Sequence, residues 1–233
     1  DLSTTPSAFQ RTSGGGAEGF AGSVRLSDWS LRYLPYLGGS AQFTEQVRGV
    51  AVDPKGNALV AGVTASPNFP VAQPLQPSIS GQANAFLVKF SPTGDILFST
   101  LFGSGTTEGR TVASDNLGNI WIGGMTNSLT LPTVRPLQNQ LRGLEDGFLA
   151  RFTPDGRTLG FSTYLGGSSQ DAISAIAWSP AGLLVAAGST GSGDLQTTSG
   201  AFQAQYAGAT DAFLAVVDPT GVNNPPVAVN DTA

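Results

Sequence analysis

The chain has 233 residues with 11 basic and 16 acidic side chains, no Cys and no His, for a formal net charge of −5 at pH 7. That balance excludes the clustered Lys and Arg that nucleic-acid binding needs. The missing residue types exclude thiol nucleophiles, disulfides, His-bound zinc and a Ser-His-Asp triad. Hydrophobic residues at 40% supply a core, and 31 Gly with 15 Pro point to many tight turns. No apolar run approaches the roughly 18 residues of a membrane span. No signal peptide is visible, and a start at Asp1 without Met reads as a processed chain or an excised piece.

In chain order, the first phrase is "SAFQ" (7–10), a loop ending in Gln. The sequence then predicts a strand in "EGFAGSV" (18–24) and another in "LRYLPYLGG" (31–39). Two strands follow at Val50–Val52 and Ala58–Val63, joined by Asp53-Pro54-Lys55-Gly56-Asn57. Pro presets φ near −65° and Gly accepts positive φ, so this is a hairpin turn. About 20 residues of Pro, Gln, Ser and Gly, including "QPLQ" (73–76), lead to a strand at Phe86–Phe90. Ser91-Pro92-Thr93-Gly94 turns the chain into Ile96–Phe102. Calling these strands a, b, c and d, the same order returns twice. The a-b phrase recurs as "TVASDNLGNIWIGGMT" (111–126) and "AIAWSPAGLLVAAGST" (175–190). The Gln loop recurs as "RPLQ" (135–138) and "GAFQ" (200–203). Strand c recurs as "DGFLARF" (146–152) and "DAFLAVV" (211–217), and strand d as "LGFSTYLGG" (159–167). The c-d turn reappears as Thr153-Pro154-Asp155-Gly156 and Asp218-Pro219-Thr220-Gly221. Several phrases holding one period of about 64 residues mark a repeat architecture.

The strands are apolar on both faces. In strand c, Phe86, Val88 and Phe90 share one face and Leu87 lies on the other. A sheet with one wet face would alternate instead. Four-stranded sheets buried on both sides at a constant period fit propeller blades, so the expected fold is an all-β β-propeller of about four partly incomplete blades. Pro35 stands where the other d strands carry Thr100 and Thr163. Proline cannot donate to a ladder, which places strand d at the outer rim.

The phrases "YLGGS…VAVDPKGNALVAGVT…NFPVAQPLQ…NAFLVKFSPTGDILFSTLFG" resemble the SBBP-type bacterial β-propeller repeat, and the resemblance covers residues 1–221. It implies a module of a large bacterial surface or secreted protein, hence an extracellular location. The tail "NNPPVAVNDTA" (223–233) resembles the lead-in to bacterial cadherin-like or immunoglobulin-like domains.

The strands read c-d, then a-b-c-d twice, then a-b-c, so the first blade lacks a and b and the last lacks d. Three readings stay open. The chain is a fragment of a longer propeller; or it closes a small ring, with "VAVNDTA" (227–233) as a missing strand; or a neighbouring copy completes an end by strand addition, giving head-to-tail filaments. In the last case Val227 and Val229 are the assembly candidates.

Chemistry is sparse. Gly14, Gly16 and Gly19 match a dinucleotide-loop spacing, but no strand precedes them and no helix follows, so they read as a loop turn. Asp53 with Asn57 and Asp115 with Asn119 read as turn caps, because the third copy, Ser179 with Leu183, has no charged oxygen for calcium. No cofactor and no metal is expected. Glu45, Glu108 and Asp171 recur before strand a, and Glu18, Asp146 and Asp211, with Asn84, before strand c. Up-down connectivity puts the d-a and b-c loops on one side of the disc. The ligand-face candidates are therefore Phe9, Phe202, Tyr206, Glu45, Glu108, Asp171, Asp146 and Asp211. The expected function is a non-enzymatic extracellular structural or adhesive module whose partners are protein chains, copies of itself included. The alternatives are a carbohydrate-binding module using the long-loop face and a propeller-type glycosidase or lyase. Trp121 and Trp178 replace aliphatic residues in aligned strands, so burial between blades is expected of them.

Overall fold

A computed structural model describes residues 2–40 and 45–218, together with the backbone of 227–230. The described residues form strands and turns, with no helix among them. Strand β1 (Gly19–Phe20) pairs antiparallel with β4 (Tyr36–Leu37), and β2 (Ser23–Val24) with β3 (Leu31–Tyr33). These are the halves of one c-d hairpin, interrupted at Leu34-Pro35, where proline supplies no N–H to the ladder. Ala21 N–H still reaches the Pro35 carbonyl at 3.4 Å.

Three four-stranded antiparallel sheets follow, each with its strands in chain order. The first holds β5 (Gln46–Val52), β6 (Ala58–Thr64), β7 (Asn84–Phe90) and β8 (Ile96–Phe102). The second holds β9 (Thr107–Ser114), β10 (Ile120–Thr126), β11 (Asp146–Phe152) and β12 (Leu159–Leu165). The third holds β13 (Asp171–Trp178), β14 (Leu184–Thr190), β15 (Asp211–Val217) and β16 (Val227–Asn230). In β16 the tail occupies the d position of the last sheet. Val227 pairs with Val216 and Val229 with Leu214 of the same chain, so this stretch serves its own sheet here and not a neighbour's. Residues 219–226 and 231–233, including most of the last c-d turn, lie outside the described residues.

The apolar alternation decides how the sheets stack. Tyr33 and Leu37 of the hairpin cluster with Val60, Phe86, Val88 and Phe90 of the first sheet. The other face of that sheet, with Leu59, Ala61, Ala85 and Leu87, packs on Val112, Ile120, Ile122 and Phe148 of the second. Trp121 and Leu149 then meet Ile173, Leu184 and Phe213 of the third. Each sheet thus offers one face backward and one forward, as propeller blades do. A fully buried Phe contributes about 2–3 kcal/mol that a sheet with both faces wet would lack. Strand β9 lies between β5 and β13, so the a strands are neighbours.

Two local devices recur. Strand a of every sheet carries a bulge, falling between Val47 and Gly49, opposite Gly123/Gly124, and between Ile173 and Ala175. Opposite it, strand b carries Gly62, Gly124 or Gly188, where a Cβ would collide with the carbonyl oxygen of Gln46, Glu108 or Ala172. The extra residue bends the strand and brings its backbone onto the glycine. The c-d turns use glycine to sit on the preceding layer. Gly94 (φ 92°) and Gly156 (φ 71°) lie against the rings of Tyr33 and Phe98.

Strand d is not a bare rim. The long b-c loop runs along its outer edge, pairing Ala72 with Ser99 and Gln76 with Leu101, and Val134 with Ser162. Thr100 Oγ1 accepts from Leu75 and Gln76 N–H, both at 3.0 Å, and Thr163 Oγ1 accepts from Leu137 at 3.0 Å and Gln138 at 2.9 Å. The loop's length, unusual for an antiparallel link, covers an edge that would otherwise invite pairing.

Candidate functional site

The recurring Gln and the acid before strand c form one device. Gln76 Nε2 donates to Asn84 Oδ1 (2.9 Å) and to the Ser78 carbonyl (3.0 Å), while its Oε1 accepts from Gly103 N–H at 3.0 Å. Gln138 repeats this with Asp146 (2.6 Å), Gln140 (2.9 Å) and Gly166 (3.0 Å). Gln10 repeats it with Glu18 (3.4 Å), Thr12 (3.2 Å) and Gly38 (3.1 Å). Gln203 bonds Asp211 (3.1 Å) and Gln205 (2.9 Å). The acid also takes loop N–H groups: Asp146 Oδ2 from Arg142 at 2.9 Å and Asp211 Oδ2 from Ala207 at 2.7 Å. One amide therefore clips the b-c loop to the start of strand c and the end of strand d. Burial pushes the Asp146 carboxyl above its usual range, against the Arg142, Gly143 and Gln138 hydrogen bonds, and the nearby Asp171 charge adds to the rise.

The acids before strand a do not act together. Glu45 is buried and accepts from Thr64 Oγ1 at 3.1 Å and from Ser66 Oγ. Asp171 fills the same place in the third sheet, accepting from Ser192 Oγ at 2.7 Å and Gly167 N–H at 2.8 Å. The second sheet uses Thr107 there, bonded to Thr126 Oγ1 at 2.8 Å. Glu108 stands one residue further on. A step of one along a strand turns a side chain to the other face. It meets Arg48 at 3.5 Å and Arg110 at 3.2 Å, the residues that the a-strand bulges push outward. Glu45, Asp146 and Asp171 are thus buried, each bonded within its own loop cluster, while Glu108 lies on the other face of its strand.

The aromatic candidates are also dispersed. Phe9 is partly buried against the core cluster between the hairpin and the first sheet, Phe202 is exposed, and the Tyr206 hydroxyl donates to the Ala209 carbonyl at 2.6 Å. Trp121 is buried and stacks on Trp178 with centroids 6.1 Å apart, while Trp29 is exposed in the c-d turn at φ 57°. Asp146 and Asp171 approach one another beside Gly166. Asp146 has both oxygens bonded inside the protein, to Gln138, Arg142 and Gly143.

Two clefts lie between successive sheets. On the long-loop side, about 280 Å³ is lined by Arg110, Glu145, Gln170 and Asp171. On the opposite side, about 640 Å³ is lined by Asp53, Lys55, Lys89, Leu117, Pro154 and Arg157. The floor of the larger cleft is a buried ion pair, Lys89 to Asp53 at 2.8 Å. Asp53 also caps its own turn, accepting from Lys55 and Asn57 N–H at 2.8 and 2.9 Å, and Asp115 does the same for Leu117 and Asn119, both at 2.9 Å. Lys89 reaches forward as well, to the Pro154 carbonyl of the next sheet at 2.9 Å. Sequence reasoning found the Asp53 cap and passed over Lys89. A cation in the otherwise apolar "NAFLVKF" was the available signal. Among the described residues no group of three or more acids is placed to hold a metal ion.

The sequence model of the SBBP family, described as a beta-propeller repeat, matches residues 35–70 and 97–129. Both matches run from strand d through the a-b hairpin of the following sheet. No curated protein matches the chain.

Proposed function

The chain carries SBBP beta-propeller repeats, and from that premise we propose that it is a non-enzymatic extracellular module of a bacterial surface or secreted protein, built to join other protein chains through the two ends of its stack. The repeat family points to a structural or interaction scaffold. One observation carries the finer reading: positions that the repeat buries in its middle are bare at its ends. Leu87 and Leu149 face forward and are fully buried, whereas their counterpart Leu214 is 37% exposed. Phe86 and Phe148 face backward and are fully buried, whereas Phe20 is 58% exposed. Leu214 and Phe20 thus offer, on opposite faces, the kinds of side chain that meet between successive sheets inside the molecule. Such a head-to-tail contact does not close on itself and extends.

Sedimentation velocity over a wide concentration range tests this. The weight-average mass is expected to grow with concentration, and Leu214→Asp and Phe20→Asp are each expected to abolish the growth. A mass that stays monomeric at the highest concentration overturns head-to-tail joining.

A further inference from the structure

Two acids meet at the joint between the second and third sheets. Asp146 opens β11 and Asp171 opens β13, and both are buried, at 0% and 2% exposure. A Cβ on Gly166 would lie 2.7 Å from Asp146 Oδ1 and 2.8 Å from Asp171 Oδ2, so the two carboxyls flank one point. The joint between the hairpin and the first sheet carries Glu18 and Glu45 in the same two places, whereas the joint between the first and second sheets carries Asn84 and Thr107. The two positions are charged together or neutral together. The neutral pair is complete in itself: Asn84 Nδ2 donates to the Ala83 carbonyl at 2.7 Å, and Thr107 Oγ1 to the Ser104 carbonyl at 2.8 Å. Each charged pair is one donor short. Asp171 Oδ1 is buried and accepts no hydrogen bond, and the same holds for Glu45 Oε2 at the matching place.

Among the described residues no cation makes up the deficit, since the ion pairs leave both Asp146 and Asp171 out. Arg110 lines the 280 Å³ cleft with Asp171 but is engaged by Glu108 at 3.2 Å. Arg142 gives Asp146 its backbone N–H, while its guanidinium charge bears on Asp194. Glu145 brings a further carboxylate, held by Gln170 at 3.2 Å, and the Tyr164 hydroxyl donates to the Ser128 carbonyl at 2.7 Å. Two buried carboxylates that flank one point without a countercharge cannot both ionise without a large penalty, and one takes a proton instead. We infer that Asp146 and Asp171 hold one proton between them, and that the joint between the second and third sheets is a pH-sensitive contact, tighter in acid and looser as the proton leaves. Burial, with the Asp171 charge beside it, holds the Asp146 carboxyl above its usual range. A carboxyl raised in this way binds its proton more tightly in the folded chain than in the unfolded one. Its effect on stability is therefore most favourable in acid, and it declines as pH rises from about 3.9 through the folded-state value.

The molecule supplies its own control, because Asp146→Asn and Asp171→Thr install what the middle joint already carries at Asn84 and Thr107. The test combines carbon-13 NMR of the side-chain carboxyls of the full chain with urea unfolding of parent and variants at pH 5 and pH 8. The Asp146 carboxyl is expected to titrate above the ordinary aspartate range, and Asp171→Thr to bring its midpoint down. The unfolding equilibrium constant of the parent, divided by that of Asp146→Asn, is expected to rise about threefold or more from pH 5 to pH 8. A constant cost of the substitution cancels in that comparison, so it separates the proton from any general effect on folding. An Asp146 midpoint in the ordinary range, a midpoint that Asp171→Thr leaves in place, or a ratio equal at both pH values overturns the shared proton. Stabilisation of the parent at pH 8 by calcium chloride that Asp171→Thr removes would overturn it as well, because the missing positive charge would then be a metal ion.

Discussion

At the scale of single residues, the Lys89–Asp53 pair shows how a repeat position is tuned. Burial by itself would raise the Asp53 carboxyl. The Lys89 ammonium, the Asn57 amide and the N–H groups of Asn57 and Lys55 override it and hold the group at about 2. An aspartate with a depressed folded-state pKa contributes stability above its unfolded value of about 3.9. That contribution is lost as pH falls through the window from about 4 to about 2. Lys89→Met should cost about 3 kcal/mol at pH 7, because it leaves a buried carboxylate without its partner. The difference from the parent should narrow as pH falls from about 4 toward 2. Asp53→Asn added to Lys89→Met should recover at least half of the loss, since no charge then stays buried. Urea titrations at pH 7 and pH 3 measure both effects, and a Lys89→Met deficit independent of pH would contradict this account of the pair.

At the scale of elements, the sequence made the strands and their turns readable. Alternation on both faces placed each sheet between neighbours, and the Asp53 and Asp115 turns could be assigned from Asp-x-x-x-Asn alone. The clamp was half legible. Gln10, Gln76, Gln138 and Gln203 recur visibly, and so do the residues eight positions later. Their joint role depends on strand d returning to the same amide, which periodicity does not reveal. Glu108 was hidden for a different reason. The repeat is not of constant length, so a match at equal intervals set Glu108 beside Glu45 and Asp171, whereas the structural counterpart is Thr107. The covered rim also escaped detection, because Pro35 implies a permissive edge and says nothing about a loop lying on it. The clamp makes its own prediction. Gln76→Leu removes donor and acceptor together and leaves the Gly103 N–H without its partner, so it should cost about 2 kcal/mol. Hydrogen exchange should rise in residues 70–82 and in β8 while β5 and β6 stay protected. Exchange that rises equally in all four strands would mean that Gln76 supports the sheet as a whole.

At the scale of the whole molecule, stability is shared between layers, so it must be uneven. Among the described residues the second sheet packs on both faces, whereas the hairpin β1–β4 and the third sheet each pack on one. In repeat architectures each layer depends on its nearest neighbours, and terminal layers are the least stable unless capped. The exposed positions Phe20 and Leu214 are therefore both the weak points of the fold and the surfaces on which the proposed assembly depends. Exposed apolar positions that a repeat elsewhere buries mark interaction sites more specifically than scattered surface leucines do. The most direct test is hydrogen–deuterium exchange of the full chain at a dilute and a concentrated setting. The account predicts that β9–β12 are the slowest to exchange at both concentrations, and that β1–β4 and β15 are fast when dilute and gain protection when concentrated. Ends already as protected as β9–β12 in the dilute sample, or ends unmoved by concentration, would contradict it.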